Sequence, residues 1–172
     1  MNLGQSILAA AALIAITILV ISANRLIVQS QQDEYKAIAV NEASEIASAI
    51  INEAMSKQFD LYNPSPPTYP DPSNFSDPGP NATEAYNVPL PDTFPFRSIG
   101  GYNDFDDYDG YSRTVDTPTL KGYLAKCTVD YVQSSNFTKT TTTKGFFKRI
   151  VVTVEQSMYL EPPISFSAVK TY

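Results

Sequence analysis

The first 24 residues carry no charged side chain, and residues 7–21 read ILAAAALIAITILVI, interrupted only by Thr17. A helix needs about 20 consecutive apolar residues to cross a hydrocarbon core ~30 Å thick. This stretch meets that length, so any fold the chain adopts has to supply a cover for it. Thr17 does not spoil the run, because its hydroxyl can bond back to its own helix. Arg25 is the first charge.

Helical character continues past Arg25. Residues 1–63 hold no proline and one glycine, Gly4, and are rich in Ala, Ile, Leu, Glu and Gln, mostly good helix formers. Tyr35, Ala39, Ala43, Ile46, Ile50 and Ala54 recur in steps of three and four. Glu34, Asn41, Glu45, Ser48, Asn52 and Ser56 mark an opposite polar face. That spacing predicts an amphipathic helix with one narrow seam. As a single rod of about 55 residues it would be about 80 Å long. No small domain needs such a rod, so its N-terminal half is expected to find either lipid or other copies of itself.

Composition removes most enzyme classes. The chain has 172 residues and no histidine, which excludes Ser-His-Asp and Cys-His nucleophile systems and His-containing zinc sites. Its single cysteine, Cys127, cannot form an intrachain disulfide and reads as a small buried hydrophobe. A net charge of −6 with a pI near 4.5 argues against nucleic acid as a partner. A secretory signal peptide would begin with basic residues. None precedes the apolar run, so the helix is expected to be kept. Met1 fits either an initiator or a residue exposed by leader removal.

Proline usage changes at residue 64: all 13 prolines follow Asn63, and ten lie between Pro64 and Pro95. Pro64, Pro66 and Pro67 are expected to end the helix near residues 59–62. Residues 63–97 then read as a turn-rich loop, which Tyr62, Tyr69, Phe75, Tyr86, Phe94 and Phe96 give a means to pack down. Residues 98–118 form an Asp-rich loop, and 119–172 carry the alternation of strands. Tyr123, Ala125, Cys127, Val129 and Tyr131 share one face. Phe146, Ile150, Val152 and Val154 share another, interrupted by Lys148, and Ile164, Phe166 and Ala168 a third. Residues 133–145 and 157–163 are assigned to links, and residues 111–115 could supply an edge strand. The expected fold is α+β: a lollipop in which residues 1–62 form one long helix. Its first part, 1–28, projects free, and 29–62 packs on the antiparallel sheet of a head spanning 63–172.

This layout, with the N-terminal residues Met-Asn-Leu-Gly-Gln-Ser-Ile-Leu, resembles the type IV pilin and pseudopilin superfamily. The segment NDFDDYDGY at residues 103–111 is similar to the aspartate-rich stretch of minor pilins of the mannose-sensitive haemagglutinin type. The resemblance implies a structural subunit held in the inner membrane by its helix. Assembly machinery would then extract it and stack it into an extracellular helical filament of identical subunits that serves adhesion or motility. Met1, Gln5, Ile7, Leu8, Ala11, Ala12, Leu13, Ile16, Leu19, Val20 and Arg25 would form the assembly helix. The exchange of lipid for like helices has its own physical basis, since each apolar side chain removed from water contributes about 1.5–3 kcal/mol.

The chain departs from the family in three ways. Gln5 stands where the family usually has a glutamate that neutralises a neighbour's terminal amine, and an amide cannot cancel a buried charge. Ser22 stands near the position of a helix-breaking proline common in bacterial major pilins, so the helix is expected to stay continuous in the filament. The C-terminal disulfide loop is missing.

Three further features admit two readings each. Asp104, Asp106, Asp107 and Asp109 could offer oxygen ligands to calcium, as in some pseudopilins, or form a solvated acidic turn closed by Gly110. Arg25 could pair with Asp33 or Glu34 of a neighbouring subunit or mark the membrane border. Asn74, Asn81 and Asn136 match the N-glycosylation pattern, a pattern that also arises by chance. The alternative to a filament subunit is a single-pass, membrane-anchored binding protein outside the cytoplasm that never polymerises.

Overall fold

The computed structural model describes residues 2–62 and 69–172; Met1 and the prolines at 64, 66 and 67 lie outside the described residues. The architecture is α+β, with one long N-terminal helix and a five-stranded antiparallel sheet. Helix α1 runs Leu3–Ser56 without interruption, and Thr17 Oγ1 donates to the Leu13 carbonyl at 2.8 Å as expected. The chain divides into two compact units, one ending at Ile38 and the other Ala39–Tyr172. Helix α1 contributes to both.

Within the second unit, Ala39, Ala43, Ile46, Ala47, Ile50 and Ala54 are the buried face of α1. Five of these belong to the seam read from spacing. Ala47 was missed, and Tyr35 stays 43% exposed. The helix also ends earlier than the prolines require. Lys57 N–H closes on the Ala54 carbonyl. Gln58 then pairs with the Asp104 segment, its N–H reaching Asn103 O and its carbonyl accepting from Phe105 N. Tertiary pairing therefore takes the backbone out of the helix at Ser56, several residues before a proline could.

The sheet is built from β1 (Ser112–Val115), β2 (Tyr123–Gln133), β3 (Asn136–Thr140), β4 (Phe147–Gln156) and β5 (Leu160–Thr171), in the order β1-β2-β4-β5 with β3 on the far end of β2. The register places Cys127 opposite Val152 and Val129 opposite Ile150, so the two strongest alternating faces meet in the core. Pro162 and Pro163 sit in β5, an edge strand, where a missing N–H leaves no ladder bond unmade. Cys127 is buried, and burial pushes its thiol up to about 12.

Three expectations are corrected. Residues 136–140, assigned to a link, form β3; the strand is exposed throughout, so no inward–outward pattern announces it. Lys148 does not interrupt the core face of β4 but belongs to it, 0% exposed and in line with Ile150, Val152 and Val154. Phe146 lies outside β4 and is 41% exposed. The proline-rich stretch folds into a 3₁₀ turn at Pro72–Asn74 and a short helix α2 at Ala82–Asn87. Of its aromatics, Phe75 is buried and Phe96 half-buried, whereas Tyr69, Tyr86 and Phe94 face solvent.

Candidate functional site

Two surfaces compete as functional sites: the apolar N-terminal part of α1 and the aspartate-rich segment of the second unit. Along α1, Gln5, Ile7, Leu8, Ala11, Ala12, Leu13, Ile16, Leu19, Val20 and Arg25 are all exposed. Leu8 is 74% and Ile14 61% exposed, on different sides of the helix. Its apolar residues do not form a stripe; they cover the whole circumference, the pattern of a helix buried on every side. Among the described residues this is the one helix long and apolar enough to cross a membrane. Arg25 lines a shallow, mostly polar depression with Val28, Gln29, Gln32, Asp33 and Lys36, and the exposed apolar residues Leu26, Ile27 and Val28 overlap its start.

The aspartates are not a solvated turn. Asp104, Asp106 and Asp107 are buried, and each is committed to a different task. Asp104 Oδ1 accepts from the N–H groups of Asp106 and Asp107, and Asp107 Oδ2 accepts from those of Asn103 and Asp104. These bonds wind the segment into a 3₁₀ turn at Asp106–Tyr108. Asp109 Oδ1 accepts from Val129 N at 2.9 Å and pins the turn to β2. Gly110, at φ +74°, then turns the chain in the left-handed region that favours glycine. The four carboxylates do not converge, and among the described residues no group of three or more His, Cys, Asp or Glu side chains is placed to hold a metal ion. Burial, the main cause, pushes Asp106 up to about 6 and Asp107 up to about 7.

Two buried polar networks surround this segment, and neither was among the expectations from the sequence. In one, Glu53 of α1 accepts from Arg113 Nη2 at 2.6 Å, Ser98 Oγ at 2.6 Å and Tyr108 Oη at 2.8 Å. Arg113 also donates to Ser98 Oγ and to Tyr111 Oη, and Tyr111 donates to Asp92. The Arg113 guanidinium lies 3.9 Å from the centre of the Phe96 ring. Burial alone would pull Arg113 down; its bonds to Glu53 and Tyr111 hold it above its ordinary value. In the other, Lys148 Nζ donates to Asp60 Oδ2 at 2.8 Å and Asp106 Oδ2 at 2.6 Å, all three side chains being essentially inaccessible. One signal was available for the second network: Lys148 is in phase with the inward residues of β4.

Neither a family model, nor a curated protein, nor a solved structure matches this chain. Its chemistry is therefore read from its own residues. The sequence holds no histidine, so it contains no Ser-His-Asp or Cys-His arrangement. Asn74, Asn81 and Asn136 are exposed. Asn81 Oδ1 caps α2, accepting from Thr83 N and Glu84 N, and Asn136 Oδ1 accepts from Thr138 N–H and hydroxyl.

Proposed function

We propose that this chain is a structural subunit of a type IV pilus-like filament, polymerising through the apolar part of α1 and displaying the second unit outward. The supporting observation is the helix surface: apolar on all sides, without charge before Arg25, and exposed along its length. At about 1.5–3 kcal/mol for each large side chain, such a surface does not persist in water. Lipid hides it before assembly; a bundle of identical helices hides it afterwards. Ala9, Ala10, Ala11, Ala12 and Ala15 let neighbouring backbones approach closely, as small residues do where apolar helices pack in membranes. Attachment or motility is the role that such an extracellular filament serves, and it needs no enzyme activity.

The test uses substitutions that separate anchoring from polymerisation. Ala11→Trp keeps the helix apolar and so keeps its fit to lipid, but it puts a large ring where helices must pack. Ala15→Glu places a charge mid-helix, at about 2.5–3.5 kcal/mol for a charged residue there. Electron microscopy of sheared cell surfaces is expected to show fibres containing the unaltered chain, sharply fewer with Ala11→Trp and none with Ala15→Glu. Fibres unchanged by Ala11→Trp, or an unaltered chain found only in membranes, would favour the single-pass anchor instead.

A further inference from the structure

Lys148 occupies a position unusual for a lysine: fully buried on the core face of β4, with all three ammonium protons taken. Its Nζ lies 2.6 Å from Asp106 Oδ2, 2.8 Å from Asp60 Oδ2 and 3.1 Å from the Phe59 carbonyl. The Phe59, Tyr131 and Phe75 rings surround it at 4.4, 5.0 and 5.7 Å. The two carboxyls differ. Asp60 accepts from Tyr62 N through Oδ1 and from Ser76 N through Oδ2, bonds that favour the charged form. Asp106 has one oxygen, Oδ1, buried with no hydrogen-bond partner among the described residues. Ser76 Oγ lies within hydrogen-bond distance of both, at 3.0 and 2.7 Å.

Two carboxylates against one ammonium would leave a net negative charge among buried side chains and aromatic rings, which is strongly unfavourable. The pocket is neutral when Asp106 carries a proton, and burial favours that state. A neutral carboxylic acid, a lysine amine and a carboxylate base then share one enclosed site.

We propose that Lys148 and Asp106 condense to an intramolecular isopeptide bond, with Asp60 carrying the protons. The Lys148 ammonium passes a proton to the Asp60 carboxylate, and the freed amine attacks Cγ of the Asp106 carboxylic acid to form a C–N bond. Asp60 gives its proton to the departing hydroxyl and takes one from the nitrogen. The C–O bond breaks and one water leaves. The amide holds one hydrogen, the water two and Asp60 one, matching the four present at the start, and no oxidant or reductant is required. Enclosure supplies the rate. Aligned intramolecular partners reach effective concentrations on the order of 10⁵–10⁸ M, and excluding water removes the competing back-reaction. The bond would tie the Asp106–Tyr108 turn to β4, a cross-link that a chain with one cysteine cannot make by disulfide.

Mass spectrometry of the full-length chain, extracted in detergent and then denatured, tests this directly. The expected mass is one water below that of the sequence, with a digest containing a branched peptide that joins Lys148 to Asp106. Lys148→Arg and Asp60→Asn are each expected to restore the full mass for their sequence. A wild-type chain at full mass overturns the proposal without any variant. So does a water loss mapped elsewhere, such as a succinimide at Asp109-Gly110, or a branch joining Lys148 to Asp60.

Discussion

The two units handle polarity in opposite ways. Helix α1 before Ile38 leaves Leu3, Ile7, Leu8, Leu13, Leu19 and Leu26 at the surface. The second unit draws Asp60, Asp92, Asp104, Asp106, Asp107, Arg113 and Lys148 inside. An exposed apolar surface and a buried charge are both unfavourable unless something compensates. The head compensates within itself, by pairing nearly every buried polar atom. The apolar helix offers no such pairing among the described residues, and on the proposed reading lipid or like helices supply the cover. Substitutions in the head should therefore register in the isolated chain, whereas those in the apolar helix should register only in membranes or assemblies.

The largest effect is expected at Glu53, the acceptor on which Arg113, Ser98 and Tyr108 converge. Glu53→Ala leaves the buried Arg113 guanidinium without its anion. Removing one member of a buried pair is destabilising by about 3–5 kcal/mol. Denaturant titration of the detergent-solubilised chain, followed by near-ultraviolet tyrosine signal, should show the midpoint falling accordingly. A loss well under 1 kcal/mol would mean that water reaches this network and that the head is not the closed counterpart of the helix.

The same substitution made in each unit sharpens the contrast. Ile50 is 0% exposed and Ile14 is 61% exposed on the same helix. Ile50→Ala opens a cavity in the head and should lower its stability by about 2–5 kcal/mol. Ile14→Ala should leave that head transition unmoved and weaken only fibre formation. Equal shifts in the two variants would break the division.

The contrast also explains what could be read in advance. The apolar helix was legible because composition alone carries it: an uncharged run is visible without knowing any contact. Strands β2 and β4 were legible from alternation, and the α1 seam from steps of three and four. Strand β3 was not, since an exposed edge strand has no apolar face to alternate with. The buried networks were least visible. Glu53 is one residue from Ala54 of the seam yet drew no assignment, and Lys148 keeps phase with Ile150 yet reads as an interruption of that face. The aspartates at 104, 106 and 107 read either as calcium ligands or as a solvated turn, and neither reading places them among buried partners of the chain itself. A pattern rule sorts residues by type; whether a carboxylate finds three donors inside is settled by parts of the chain 40 or more residues away, as Lys148 is from Asp106.

Proton linkage should distinguish the buried aspartates from ordinary surface ones. Burial, the leading cause, raises Asp107 to about 7 in the folded head, against about 3.9 in an unfolded chain. The folded state thus holds this proton more tightly. The stability it contributes is fully present below about pH 4 and is lost as pH rises through about 7. The midpoint of head unfolding should decline from pH 4 to 7, and Asp107→Asn should flatten part of that decline, with the buried Asp104, shifted in the same direction by burial, supplying the remainder. A flat profile in the unaltered chain would place these carboxyls in contact with water.

The smallest effect is expected at α2, which lies between the two extremes. Its N-terminus is closed by a capping box: the Asn81 side chain accepts from Thr83 N and Glu84 N, while Glu84 returns a bond to Asn81 N. Glu84 is buried and also accepts from Asn103 Nδ2, which links this short helix to the start of the aspartate-rich turn. Asn81→Ala removes the cap and should destabilise by about 1 kcal/mol, seen as faster amide exchange at Thr83 and Glu84. Because Glu84 keeps its bond to Asn103, the loss should stop there and leave the aspartate turn protected. Faster exchange spreading to Asp106 and Asp107 would instead show that the cap and the buried carboxylates form one cooperative unit, so that polar burial in this head reaches as far as an exposed asparagine.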